Sequence, residues 1–226
     1  FAASFTFWIW VRARDSNTWR SGIALGCAIG LAMLVRPSHA VLVLLPISDA
    51  VRAFCSGRNA LTSAGRLGAG LVAAMSVFSL QVLTWALLYD WFHFGIHTPP
   101  GSPMRWANPA VVEVLFSAHH GLFAWHPALA AGFLGLLGFW RRDRYAAAIL
   151  AALLALYVYG NGAIESWHGG GSFGMRRFVG VLPFLAPGIA AFGVACVRGC
   201  RRHVIVAVTG AIAILFLYNA MLVLTM

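Results

Sequence analysis

The sequence contains no lysine and only six acidic residues, so arginine supplies all sixteen of its strongly basic side chains. Charged residues make up 10% of the chain, whereas 61% are hydrophobic and the mean hydropathy is +0.81. Because soluble domains carry about 25% charged residues, this composition excludes a soluble domain and indicates a membrane protein. The net charge of +10 does not indicate nucleic-acid binding, since the arginines do not form one polar face.

Cysteine is also scarce. The four cysteines lie within apolar runs or beside arginine clusters and form no CxxC motif, which argues against a disulfide framework and a cysteine metal site. The apolar run 1–11 has no charged segment before it and does not resemble a signal peptide. We therefore expect a fragment that begins inside a truncated first helix, with the rest of that helix upstream of Phe1, and which is inactive if the missing part is needed.

Twelve of the sixteen arginines fall in four clusters that punctuate long apolar runs. Basic residues in short loops stay on the cytoplasmic side, where anionic lipids attract them, so the clusters mark the inside. Seven of the eight histidines lie between the clusters, and the polar segments 36–39, 90–120 and 161–177 are predicted outer loops. The clusters are Arg12, Arg14 and Arg20; Arg52, Arg58 and Arg66; Arg141, Arg142 and Arg144; and Arg198, Arg201 and Arg202.

The apolar runs predict an all-α, polytopic integral membrane helix bundle with about seven spans plus a truncated first one. We treat residues 1–226 as a single transmembrane domain. Runs 21–35 and 40–53 are each short for a span, so they are predicted to be two helices that meet at Arg36-Pro37. The other predicted spans are 67–89, 121–140, 145–160, 178–197 and 203–226, with a short interfacial helix at 109–116.

Ionisable groups at membrane depth are costly and usually functional or paired. The outer segments gather arginine and histidine, which suits a phosphate because the arginine fork donates to two oxygens. His93 and His97 have the spacing of metal ligands on a helix but no third partner, so metal is not favoured, although a divalent ion is left open. His119 and His120 are adjacent, so at most one of them points into a given pocket, and a polar interfacial role remains an alternative.

The segment 165–177 contains a literal G-x-S-x-G with Ser172 in the nucleophile position. We reject a serine hydrolase, because no acid follows Glu165 and the only later histidine, His203, lies on the inner side. The glycine run 169–171 instead lets backbone N–H groups approach an anion, with Arg176 and Arg177 at the start of the next helix.

Three stretches, 30–37, 117–127 and 167–183, resemble the polytopic glycosyltransferases of the C-type superfold. They are closest to the bacterial dolichyl-phosphate-mannose–protein mannosyltransferase-like families, although Val35 stands where the family usually has threonine. The resemblance implies transfer of a sugar from a polyprenyl-phosphate donor to a lipid, glycan or protein acceptor, with no cofactor. It places the active side at the outer face of the bacterial cytoplasmic membrane.

Under this resemblance the catalytic base is an acid upstream of residue 1, and Glu165 and His168 are weaker candidates. A transporter or flippase of an anionic lipid is the alternative, but no internal repeat is visible and the polar groups crowd one interface. An inert scaffold would leave that crowding unexplained. The expected donor-phosphate residues are Arg36, Arg176, Arg177, His119 and His120, and the expected acceptor or loop residues are Trp167, Gly170 and Ser172.

Overall fold

The computed structural model describes residues 1–16, 18–57, 59–88, 104–168 and 176–199, together with eight positions between 210 and 221. Every regular element in these residues is helical, which confirms the all-α prediction. The chain divides into two compact units, Phe1–His97 and Thr98–Met226.

Among its described residues, the first unit holds four α-helices and one 3₁₀ segment. The capping residue Thr18 accepts a hydrogen bond from the backbone N–H of Ser21 and so begins the second helix. The elements are α1 (Ala2–Ala13), α2 (Trp19–Val35), a 3₁₀ segment (Pro37–Val43), α3 (Leu44–Cys55) and α4 (Ala60–Leu88).

The predicted break at Arg36-Pro37 is confirmed. Arg36 is extended, with φ −151° and ψ 120°, as expected for a residue that precedes proline. Proline has no N–H to donate to a carbonyl of α2, so the chain continues there as a 3₁₀ segment. The backbone N–H of His39 donates to the Arg36 carbonyl at 2.9 Å, and the His39 side chain is buried.

Glycines bring α2 and α4 close together. Gly22 and Gly26 are four residues apart on α2, and a Cβ at either one would collide with a carbonyl oxygen of α4. These oxygens belong to Arg66 and Gly70. Small residues at this spacing let membrane helices approach backbone to backbone, so this packing fits an apolar environment.

Arg66 was predicted only as a mark of topology, but the structure gives it a partner. Its NH2 group donates to Asp49 Oδ2 and to the Ala13 carbonyl, each at 3.0 Å. Trp10 Nε1 donates to the other oxygen of Asp49 at 3.2 Å. The side chains of Arg66 and Asp49 are 8% and 2% exposed. This buried ion pair links α1, α3 and α4.

The second unit holds five described α-helices and a second 3₁₀ segment. The predicted span 121–140 is interrupted at His126-Pro127, and the helix predicted from Pro109 begins at Val111. Asp143 caps the fourth of these helices by accepting from the Ala146 N–H. The elements are α5 (Val111–Phe116), α6 (Leu122–Trp125), α7 (Ala128–Trp140), α8 (Arg144–Ala163), a 3₁₀ segment (Arg176–Val181) and α9 (Leu182–Gly199).

Among the described residues, four helical stretches are long and apolar enough to cross a membrane: Pro37–Cys55, Ala60–Leu88, Arg144–Ala163 and Arg177–Arg198. Helix α2 and the stretch Leu129–Trp140 are apolar but shorter. The structure therefore supports a membrane-embedded helical protein but does not confirm seven spans. The predicted span 203–226 lies largely outside the described residues.

Candidate functional site

Two loops of the second unit bring three imidazole rings together. The turn between α5 and α6 carries His119 and His120, and the segment after α8 carries His168. The ring centroids of His119 and His120 are 4.6 Å apart. The ring centroid of His168 lies 5.7 Å from that of His119 and 6.3 Å from that of His120. We call these three residues the histidine cluster.

Local hydrogen bonds explain the shape of the turn. Ser117 Oγ accepts from the His119 N–H at 3.1 Å, and the Ser117 carbonyl accepts from the Gly121 N–H at 2.7 Å. A Cβ on Gly121 would lie 2.7 Å from the carbonyl carbon of Phe116, so only glycine fits here. The Trp125 indole then closes the turn by donating to the Ala118 carbonyl at 3.0 Å.

The two neighbouring histidines have different surroundings. His119 is exposed, whereas His120 is only 5% exposed and stacks on Trp125 with 5.4 Å between ring centroids. No hydrogen-bond partner for His120 Nδ1, which is buried, is found among the described residues. Burial, followed by the charges of His119 and His168, lowers the pKa of His120 below its usual 6.5. His120 is therefore mostly uncharged at neutral pH.

The segment that carries His168 is held by the chain before α5. The Arg105 N–H donates to the Ala163 carbonyl at 2.7 Å, and the Arg105 guanidinium donates to Glu165 Oε1 at 3.1 Å. Tyr159 adds a hydrogen bond from its hydroxyl to the Trp106 carbonyl. One oxygen of Glu165, which was a candidate base, is thus engaged by an arginine.

Arg177 also contacts the segment that carries His168. Its NH2 group donates to Ser166 Oγ at 3.3 Å, two residues before His168. Trp167 lies between them, and its ring centroid is 5.7 Å from that of His168. The second unit therefore brings together the histidine cluster, Trp167 and the Arg177–Ser166 contact.

The remaining predicted site residues belong to the first unit or lie outside the described residues. Arg36 belongs to the first unit. The backbone of Arg176 is in the 3₁₀ segment, but its side chain, like Gly170 and Ser172, is outside the described residues. Sequence reasoning missed the Arg105–Glu165 pair and the contact of His120 with Trp125, because both join residues from separate loops or helices.

The described stretches contain no group of three or more histidine, cysteine, aspartate or glutamate side chains arranged to hold a metal ion. His93 and His97, the pair with metal-ligand spacing, lie outside those stretches.

Comparisons of the chain with protein-family models, curated proteins and solved structures found no match.

Proposed function

We propose that this chain is part of a membrane glycosyltransferase that transfers a sugar from a polyprenyl-phosphate donor to a lipid, glycan or protein acceptor. In this proposal the protein has about seven spans in a bacterial cytoplasmic membrane and works at the outer face. The observation that carries the proposal is the meeting of the histidine cluster with the Arg177–Ser166 contact at the ends of apolar helices.

The ligand class follows from the position of these groups. α8 ends at Ala163, just before Glu165 and His168, and the apolar stretch Arg177–Arg198 begins at the arginine itself. A lipid phosphate has an apolar tail that packs along such helices and an anionic head that needs donors at their ends. Arginine donates two parallel hydrogen bonds to phosphate, and the start of a helix favours an anion.

The chemistry assigned to the site is stabilisation of the leaving group. An acceptor hydroxyl attacks the anomeric carbon, the bond from that carbon to the phosphate oxygen breaks, and the lipid phosphate leaves with the bonding electrons. Donors aimed at the oxygen that gains charge lower the barrier. The acceptor proton passes to a base, for which we keep an acid outside this chain, with His168 as the candidate within it.

Arg36 has its own proposed role as a phosphate cation of the first unit. It stands at the extended residue between α2 and the 3₁₀ segment, half-buried and against the usual inner placement of arginine. The proposal also keeps Arg176 on the phosphate, and Trp167, Gly170 and Ser172 in the loop that receives the acceptor.

The test is sugar transfer from a polyprenyl-phosphate donor in membranes that contain the full-length protein. Arg177→Gln should lower the rate by about 10²–10³-fold, the usual cost of removing one donor to a developing anion. Arg198→Gln, at the other end of the same apolar stretch, is the matched control and should leave the rate unchanged. Full activity in both Arg177→Gln and Arg36→Ala would overturn the site assignment.

A transporter or flippase of an anionic lipid is the second candidate, and one broken helix favours it. The predicted span 121–140 is interrupted at His126-Pro127, and breaks within a span are common at transport sites. Single cysteines introduced midway along α4 and α8 distinguish the two functions. Labelling that switches sides when substrate is added would support transport, whereas a glycosyltransferase should show labelling from one side only.

A further inference from the structure

We propose that the histidine cluster binds a phosphodiester headgroup together with one proton, which His120 takes up at Nδ1. This inference rests on the proposed function for the chemical class of the ligand, because the sugar donor is a phosphodiester. It adds a coupling between donor binding and pH that the proposed function does not require.

The geometry of His120 carries the inference. Its side chain is buried against Trp125, and its Nδ1 has no hydrogen-bond partner among the described residues. A buried polar atom without a partner is destabilising, and a ligand oxygen at that atom would remove the cost. A phosphate oxygen only accepts hydrogen bonds, so Nδ1 must carry a hydrogen to meet it.

The surrounding charges decide how His120 obtains that hydrogen. In the free protein, burial and the two neighbouring imidazoles keep it uncharged. An anion beside the ring reverses the balance, because an opposite charge favours the imidazolium. Titratable or charged groups on the elements around His120 are His119 on its own turn, His168 and the Arg105–Glu165 pair beside α8, Arg177 on the 3₁₀ segment, and Glu113 on α5.

The sign of the pH dependence follows from the two pKa values of His120. The pKa of His120 in the free protein lies below 6.5. In the proposal the bound anion raises it. Between them, binding takes up one proton, so the affinity falls about tenfold for each unit that the pH rises. Below the free-state pKa the proton is already present, and above the bound-state pKa it is not taken up, so the affinity levels off at both ends.

The experiment uses octyl methyl phosphate, a phosphodiester that stays singly charged over this range, so any pH dependence belongs to the protein. Calorimetric titration of the whole chain in detergent, repeated in buffers of different ionisation enthalpy, counts the protons taken up between about pH 5 and about pH 8. We expect about one proton at the maximum. Tighter binding than for dimethyl phosphate identifies a lipid headgroup as the ligand, whereas equal binding identifies a small soluble phosphodiester.

Variants assign the proton to a residue. His120→Gln should bind with no proton uptake and with an affinity independent of pH. His126→Gln, at the break before α7, is the matched control and should behave as the parent chain. Binding without proton uptake on the parent chain overturns the proposal with no variant, so the proposal stays falsifiable even if His120→Gln does not fold.

Three results would overturn the inference: no binding of either phosphodiester, binding without proton uptake, or uptake that persists in His120→Gln. The second would show that Nδ1 already carries its hydrogen in the free protein. The sugar-transfer assay separates this inference from the proposed function. Proton-coupled binding without sugar transfer would contradict the proposed glycosyltransferase function and support the binding site. Sugar transfer without proton uptake would support the glycosyltransferase function and contradict the proton-coupled site.

Discussion

Replacing Asp49 by alanine is expected to lower the free energy of unfolding by about 3–5 kcal/mol. The carboxylate accepts from both Arg66 and Trp10, and the charged pair is almost fully buried. Without Asp49 the Arg66 guanidinium stays buried and still donates to the Ala13 carbonyl, which does not neutralise its charge. Most of the cost is this uncompensated charge, and the loss of a single hydrogen bond is a smaller part.

Unfolding in mixed micelles titrated with a denaturing detergent measures the effect. Asp15→Ala is the matched control, because Asp15 is 65% exposed and lies 3.6 Å from Arg52 in a surface pair that is worth about 0–1 kcal/mol. The double variant Asp49→Ala/Arg66→Met should recover most of the stability, since it buries no lone charge. A double variant as unstable as Asp49→Ala would contradict this explanation.

Local features of the fold could be predicted from the sequence, and contacts between distant residues could not. The break at Arg36-Pro37 is predicted because proline lacks the N–H that would continue the helix. The interruption of the predicted span 121–140 at His126-Pro127 has the same local cause, but Pro187 lies inside α9, so a proline alone does not decide where a helix ends. The burial of Arg66 depends on Asp49, 17 residues earlier, and on Ala13, 53 residues earlier. The sequence predicted Arg66 in an inner loop, whereas it lies within α4, and its neighbours in the sequence give no indication of its partner.

The same distinction applies to the candidate site, where single residues could be predicted but their contacts could not. His119, His120 and His168 could be selected one by one, because each is a polar group next to an apolar run. That their rings lie within 6.3 Å of one another depends on how α5, α6 and α8 pack. The pairing of Arg105 with Glu165, 60 residues apart, has the same origin, and it changes how well Glu165 would serve as a base.

Glycine contacts between α7 and α9 lead to the second large prediction. A Cβ at Gly188 would collide with the Gly132 carbonyl, and one at Gly135 would collide with the Gly188 carbonyl. Gly188→Leu should therefore push the two helices apart, because a backbone carbonyl cannot turn aside as a side chain can. We expect a loss of about 1–3 kcal/mol or more in the free energy of unfolding.

Gly193 on the same helix provides the matched control. No atom lies within 4 Å of a Cβ built there, so Gly193→Leu adds the same side chain without a collision. Leucine is also the better helix former by roughly 0.5–1 kcal/mol, so this variant should be as stable as the parent or more so.

A disulfide reports the helix spacing directly. A Cβ at Gly138 would lie 3.9 Å from that of Ala191, within the roughly 3.5–4.5 Å that a disulfide requires. The pair Gly138→Cys and Ala191→Cys should therefore cross-link in the parent chain and in Gly193→Leu, but not in Gly188→Leu. Cross-linking that persists in Gly188→Leu would mean that α7 and α9 do not need backbone contact at Gly188. Their close approach would then have to come from the larger side chains beside it, Leu185 and Ile189, which lie against Gly132.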